Sequence, residues 1–209
     1  VTHLEAAIPH ASEPMAAALR ALVQFYPTGE KADREKYDIA WVKDTAWPVD
    51  TINGFIEVYL DARGVKGGTE GLVFYVNREK TVRIRKFADN AQWFEDHMPY
   101  DAKFRKPMVK GIVANAIDVV IETGDSGPVT PIGINLPNDQ AIREAHGSKS
   151  VTLSNVREAS DNGTPNTMRN EFSFTPEESE RSLKHGTLAG ELLTDMHEVI
   201  GHASGRQAD

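Results

Sequence analysis

Cysteine is absent from this chain of 209 residues. Disulfides and thiolate ligands are therefore excluded, and any metal site must use histidine and carboxylate side chains. No run approaches the roughly 18 consecutive apolar residues that a membrane-spanning helix needs. No cluster of lysine and arginine forms the basic face that phosphate groups require, and the net charge is −8. We therefore expect neither a nucleic acid nor a membrane as a partner.

The N-terminus also lacks the signals of export. Residues 1–5 contain no basic segment and no apolar segment follows them, so we expect no signal peptide and a cytoplasmic location. The chain does not begin with methionine, which indicates a processed or excised piece of a longer protein. Its 40% hydrophobic and 26% charged residues are typical of a globular protein. The length suits one large domain or two small ones.

The most informative motif lies near the C-terminus, where His197, Glu198 and His202 fall on a predicted helix. Two imidazoles can bind zinc, and the carboxylate can accept a proton from water. The usual H-E-x-x-H spacing places both histidines on one helical face. Here the histidines are one residue further apart, and an ideal helix would aim them about 140° apart. We therefore predict a π-bulge with Gly201 as the extra residue; two surface histidines on an amphipathic helix are the alternative.

Hydrophobic periodicity and turn residues predict the elements around this motif. Helices are predicted over 12–26, over 79–97 and from Thr175 into the zinc motif, the last with a capping box. Short strands are predicted over 39–42, 52–59, 71–76, 117–122 and 151–153. Loops are predicted over 30–36, 62–68 and 161–170. Prolines at both ends of the extended segment 131–138 favour an edge strand, to which a peptide could add itself.

Three separated segments resemble one family, the dipeptidyl peptidase III zinc exopeptidases. The first reads Asn-Gly-Phe-Ile-Glu-Val-Tyr-Leu-Asp at 53–61, followed by Gly-Thr-Glu-Gly-Leu-Val at 68–73. The second reads Gly-Ile-Asn-Leu-Pro-Asn at 133–138, and the third is the zinc motif at 197–202. The resemblance extends over roughly residues 38–206 and implies release of dipeptides from the N-termini of oligopeptides.

The resemblance implies a zinc cofactor and a role for each residue of the third segment. His197 and His202 match the two histidine ligands, and Glu198 matches the general base. In the family a third ligand, a glutamate, comes from a later helix, and a further histidine follows it. This chain ends at Asp209. We therefore expect the third ligand to come from elsewhere, with the missing C-terminal part of the same protein as a partner.

The other two segments match residues that contact substrate. Glu57, Asn135 and Asn138 match groups that bind the free N-terminus of the peptide, and a carboxylate beside amide oxygens suits an ammonium group. Tyr59 matches a catalytic tyrosine near the scissile bond. Gly133 lies in the strand along which the substrate extends. The alternatives are an ordinary strand position for Glu57 and simple Asx turns at the two asparagines.

The implied fold is α+β with two lobes, one containing a β-barrel and the other mainly helical and carrying the zinc. Residues 1–77 and 116–158 would belong to the first lobe, and residues 78–115 and 159–209 to the second, so that both are incomplete here. The expected function is that of a zinc-dependent dipeptidyl peptidase. The alternatives are a non-catalytic peptide-binding module and an endopeptidase on the same scaffold.

Overall fold

The computed structural model describes residues 1–45, 48–54, 63, 65, 68–109, 111–127 and 130–206. Within them the fold is α+β, as predicted, with one curled sheet and helices packed around it. The predicted site residues Glu57 and Tyr59 lie outside the described residues, as does the predicted strand beyond Gly54.

The chain begins with helices that cover one face of the sheet. Ser12 caps the second helix by accepting a hydrogen bond from the N–H of Met15 at 3.3 Å, and Gly29 ends it with a positive φ of 64°. The bounds are α1 Thr2–Ala7, a 3₁₀ turn Ile8–His10, α2 Glu13–Thr28 and α3 Lys31–Lys43.

Helix α3 corrects two predictions, the loop over 30–36 and the strand over 39–42. The short apolar run suggested a strand, but Tyr37 and Trp41 lie four residues apart and are both buried on one helical face. Arg34 and Asp38 form an ion pair at the same spacing, 3.0 Å apart. Helical periodicity over the whole segment therefore outweighs the apolar run.

The described strands form one sheet in the order β1-β2-β3-β5-β4. All neighbours pair antiparallel except β3 and β5, which are parallel. Lys149 in β5 reaches Asp50 in β1 at 2.8 Å although two strands lie between them. A flat sheet would separate those strands by about 14 Å, so the contact reflects the curl of the sheet. The bounds are β1 Val49–Gly54, β2 Glu70–Val76, β3 Ile112–Gly124, β4 Gly133–Leu136 and β5 Ser148–Leu153.

Strand β4 lies at the edge of the sheet, as the flanking prolines predicted. The N–H of Leu153 donates to the carbonyl of Ile132 at 2.9 Å, and the antiparallel register then pairs Ile134 with Val151. Bonded and non-bonded pairs alternate in such a ladder, so Gly133 and Asn135 direct their backbone groups away from β5. In the described part of the chain, no strand pairs with that outer edge.

The remaining helices connect the strands and form the C-terminal part of the chain. The loop predicted over 161–170 is wrong: two helices, separated at Thr164 and Pro165, occupy most of it. Helix α6 was not predicted, and Asp139 caps it. Helix α9 begins at the predicted cap, Thr175. The bounds are α4 Arg78–Asp89, α5 Ala91–His97, a 3₁₀ turn Ala102–Phe104, α6 Gln140–His146, α7 Ser154–Gly163, α8 Asn166–Phe172 and α9 Pro176–Met196.

Two apolar clusters hold these elements together. The larger one lies between α2, α3 and the sheet and includes Leu22, Trp41 and Phe74. The smaller one joins α4 to the end of α9 through Ile84 and Val199, both fully buried. Among the described helices, none is both long and apolar enough to cross a bilayer. The cytoplasmic location and the division into two lobes stay predictions.

Candidate active site

The turn that continues α9 departs from α-helical geometry at the position that the histidine spacing predicted. Residues His197–Gly201 form a π-turn, in which the N–H of His202 donates to the carbonyl of His197 at 3.1 Å. The π-bulge is therefore confirmed. Gly201 lies within it, and a Cβ there would meet only the carbonyl of Met196 at 3.9 Å.

The π-turn brings both imidazoles to the same side of the helix. The ring centroids of His197 and His202 are 4.8 Å apart and the rings are nearly perpendicular, at 85°. Glu198 completes the cluster, since one ligand atom from each of the three residues lies within 4.8 Å of the others. Two nitrogens on one zinc ion lie about 3.3 Å apart, so small side-chain rotations bring these imidazoles to that distance.

The carboxylate of Glu198 is buried, with 6% of the residue exposed. Its Oε2 has no hydrogen-bond partner within the described residues and lies 3.8 Å from Nε2 of His202. Burial raises the pKa of Glu198 from 4.5 to about 7. A buried carboxylate oxygen left without a donor is unfavourable unless something binds there. Together with two adjacent imidazoles, it is the donor set that a zinc ion and a water would use.

The two histidines differ in their surroundings. Partial burial lowers the pKa of His202, and the neighbouring charges of His197 and Arg143 lower it further. The neutral imidazole, which is the metal-binding form, is thereby favoured. Arg143 also donates to the backbone carbonyl of His202, and Lys106 Nζ donates to that of Ala203 at 2.6 Å. Both contacts fix the chain immediately after the π-turn.

Gly133 on strand β4 lies directly against the Glu198 side chain. A Cβ at this position would be 2.7 Å from Cγ and 2.8 Å from Cδ of Glu198. Any larger residue at position 133 would therefore force the Glu198 carboxylate to shift away from the strand. Gly133 was predicted from the resemblance to contact substrate; its packing against Glu198 is an additional reason for a glycine.

Asn135 is nine-tenths buried on the same strand, beside the π-turn. Its Nδ2 donates to Oγ of Ser150 at 2.7 Å, to Oγ of Ser148 at 3.2 Å and to the carbonyl of Glu198 at 3.4 Å. Its Oδ1 has no partner in the described part of the chain. The amide nitrogen is thus engaged inside the protein, and the oxygen is the group that can accept from a ligand.

These residues line a cleft of about 450 Å³ between β4 and the end of α9. Gly133, Asn135 and Asn138 lie on one side, and His197, Glu198 and His202 on the other. The cleft also contains Ile52, Glu70, Pro131, Ile132, Ile134, Leu193 and Thr194. The structure thus brings together the predicted residues of the second and third segments. Glu57 and Tyr59 lie outside the described residues.

Two acidic residues near the motif do not join the cluster. Glu191 contacts Nζ of Lys80 at 3.1 Å and the Arg83 guanidinium at 2.9 Å. Asp195 contacts Nε of Arg83 at 3.3 Å. Glu191 through both oxygens and Asp195 through Oδ2 are therefore engaged with α4.

Ser148, Ser150 and Glu70 were not among the predicted site residues. The two serines alternate with Lys149 and Val151 along a buried strand, so that both hydroxyls contact Asn135, and that of Ser150 also reaches the π-turn. The sequence signal that could have identified the two serines is the alternation of small hydroxyl residues along a strand that is buried throughout. Glu70 was not predicted as a site residue, although it belongs to the segment 68–73 quoted for the resemblance, because it lies between the predicted loop over 62–68 and the predicted strand over 71–76.

Comparison with known proteins places the chain in a family. The sequence profile of peptidase family M49 matches residues 1–208. Dipeptidyl peptidase 3 of Dictyostelium discoideum is 33% identical over 211 residues, which is 99% of this chain and 29% of that protein. The Nematostella vectensis enzyme of the same name is 30% identical over 195 residues, or 93% of this chain and 26% of that protein. The chain thus spans less than a third of these relatives.

Solved structures agree with the sequence comparisons. DPP III from Caldithrix abyssi superposes with a TM-score of 0.78 at 23% identity, covering 98% of this chain and 38% of that one. Dipeptidyl-peptidase III from Corallococcus sp. strain EGB gives a TM-score of 0.76 at 20% identity, covering 93% and 36%. The fold is therefore that of these proteins. With a family match along nearly its whole length, the chain belongs to peptidase family M49.

Proposed function

We propose that this chain carries part of the active site of a zinc-dependent dipeptidyl peptidase. The observation that supports it best is the π-turn, which turns His197 and His202 to one side beside the buried Glu198 carboxylate. A zinc ion held by the two imidazoles would supply Lewis-acid chemistry, polarising the scissile carbonyl and a water. The third protein ligand would come from residues other than those described here.

Glu198 would act as the general base. Its carboxylate would take a proton from the attacking water and pass it to the leaving amine. The raised pKa of about 7 in the metal-free protein reflects a dry site, and a neighbouring cation would favour the ionised base. Burial against Gly133 restricts where the carboxylate can point, which is what a positioned base needs.

The substrate would lie along strand β4 as an added strand. Gly133 and Asn135 direct backbone groups toward the open edge, so peptides of varied sequence could pair there. The unpartnered Oδ1 of Asn135 would accept from the free ammonium terminus, together with Asn138. Glu57 and Tyr59, which match the family motif, would complete the binding of the peptide.

The proposal is tested by measuring zinc content and peptide turnover on the same sample of the complete protein. We expect zinc to be bound, with dipeptides released from free N-termini. Glu198→Gln should retain the zinc and lose about 10²- to 10⁴-fold in turnover. Zinc binding with unchanged turnover in Glu198→Gln would contradict the assigned role.

An N-acetylated version of the same peptide serves as the matched substrate. Loss of the ammonium group should prevent cleavage if Asn135 and its neighbours bind the free terminus. Internal cleavage of the blocked peptide would instead identify an endopeptidase. Peptide binding without turnover and with weak zinc would favour the alternative of a non-catalytic peptide-binding module, for which the open edge of β4 is the specific observation.

A further inference from the structure

The π-turn changes which backbone carbonyl of α9 lacks its helical donor. In an α-helix, the N–H of His202 would bond to the carbonyl of Glu198, four residues earlier. Here that N–H bonds to the carbonyl of His197 instead, at 3.1 Å. The Glu198 carbonyl is therefore released inside the protein, where a polar group without a partner is costly.

Side chains of the sheet supply the missing donors. Oγ of Ser150 lies 2.9 Å from the released carbonyl, and Nδ2 of Asn135 lies 3.4 Å from it. Nδ2 of Asn135 also bonds to Oγ of Ser150 at 2.7 Å. Because a carbonyl can only accept, the serine hydroxyl donates to Glu198 and accepts from Asn135. The hydrogen bonds therefore run in one direction: Asn135 on β4 donates to Ser150 on β5, and Ser150 donates to the Glu198 carbonyl in the π-turn.

We propose that Ser150, oriented by Asn135, is a positioning residue that holds the π-turn in the register needed to aim both histidines at one zinc ion. Without Ser150 only the longer contact from Asn135, at 3.4 Å, remains, and the Glu198 carbonyl would regain a short hydrogen bond by reverting to an α-helical bond with His202. In that arrangement the imidazoles of His197 and His202 would point about 140° apart. The inference rests on the proposed zinc site.

Ser150 acts only through the turn. It is fully buried and does not line the cleft formed by the described residues. A direct contact with substrate is therefore not its role, and a substitution there should change the metal site by moving the backbone. Its contact with Asn135 also explains why that amide nitrogen faces inward and leaves Oδ1 for a ligand.

Ser148 provides a matched control. It lies on the same face of β5 two residues earlier, is 5% exposed, and contacts Nδ2 of Asn135 at 3.2 Å. Ser148 makes no hydrogen bond to the Glu198 carbonyl, as far as the described residues show. Ser148→Ala and Ser150→Ala therefore each remove one buried hydroxyl that contacts Asn135, and only the second removes the donor to the π-turn.

The first measurement is amide hydrogen exchange of the complete, metal-free protein. We expect Ser150→Ala to accelerate exchange at residues 198–203 by roughly five- to tenfold, the effect of losing one hydrogen bond. Ser148→Ala should leave those amides close to wild type. Ser150→Cys keeps the volume with a weaker donor, so it should give a smaller acceleration and serves if Ser150→Ala does not fold.

The second measurement is zinc affinity by competition with a chelator. Ser150→Ala should weaken zinc binding by about 10- to 100-fold, as loss of groups that orient metal ligands does. Equal exchange and equal zinc affinity in the Ser150 and Ser148 variants would overturn the inference. A wild-type protein that binds no zinc would instead refute the proposed function. The exchange rates would then decide alone whether Ser150 holds the π-turn.

Discussion

Strand β5 separates two buried carboxylates that differ in how they are partnered. On one face, Lys149 contacts Asp50 at 2.8 Å, and the carboxylate of Asp50 also accepts from Nε1 of Trp41 at 2.9 Å. On the other face, Ser150 contacts the backbone of Glu198, whose carboxylate Oε2 has no partner in the described part of the chain. The two residues are similarly buried, at 9% and 6% exposed.

The difference in partners separates a structural role from a functional one. Burial raises the pKa of both carboxyl groups. At Asp50 the Lys149 ammonium and hydrogen bonds from Trp41 and Thr51 oppose that rise, whereas burial acts alone at Glu198. A carboxylate with a full set of partners stabilises the fold. One that is buried without them is available to a metal, a water or a substrate.

The largest expected effect on stability comes from removing Asp50. Among the described residues, Asp50→Ala leaves the buried Lys149 ammonium with the Trp41 ring, 4.4 Å away, as its one partner. Breaking one side of a buried ion pair should cost about 3–5 kcal/mol in free energy of unfolding. Urea denaturation of the complete protein measures it. The double variant Asp50→Ala with Lys149→Met removes both charges and should recover most of the loss; an unchanged midpoint in the single variant would show that the pair is dispensable.

Glu198→Gln should have the opposite effect on the metal-free protein. Because the folded-state pKa is raised from 4.5 to about 7, ionisation disfavours the folded state. The penalty is absent below pH 4.5 and grows as the pH rises toward 7. Glutamine removes it, so the variant should be more stable than wild type at pH 8, by at most about 3 kcal/mol, and equal at pH 4. Unfolding with chelator at both pH values tests this, and a variant less stable at pH 8 would contradict it.

The sequence predicted local features of the site better than the contacts between segments. The five-residue spacing of His197 and His202 required a π-turn, and Pro131 and Pro137 indicated an edge strand, because both signals depend on backbone geometry. Helix α3 was missed because the consecutive apolar residues at 39–42 suggested a strand, although the buried residues of the whole segment follow a helical period. Ser150 was missed because its partner, the Glu198 carbonyl, is 48 residues away and is released only by the π-turn.

The smallest expected effect sharpens the comparison at Gly133, because no glycine among the described residues packs against Asp50 as Gly133 does against Glu198. Gly133→Ala places a methyl group 2.7 Å from Cγ and 2.8 Å from Cδ of Glu198, so the carboxylate must shift while its chemistry is unchanged. Misplacement by 1 Å costs roughly 100-fold in rate, and a smaller shift should lower kcat by about tenfold with zinc still bound. Gly163→Ala, where an added Cβ meets nothing within 4 Å, is the control. If both variants turn over dipeptides at the wild-type rate, the position of the carboxylate is not set by contact with β4.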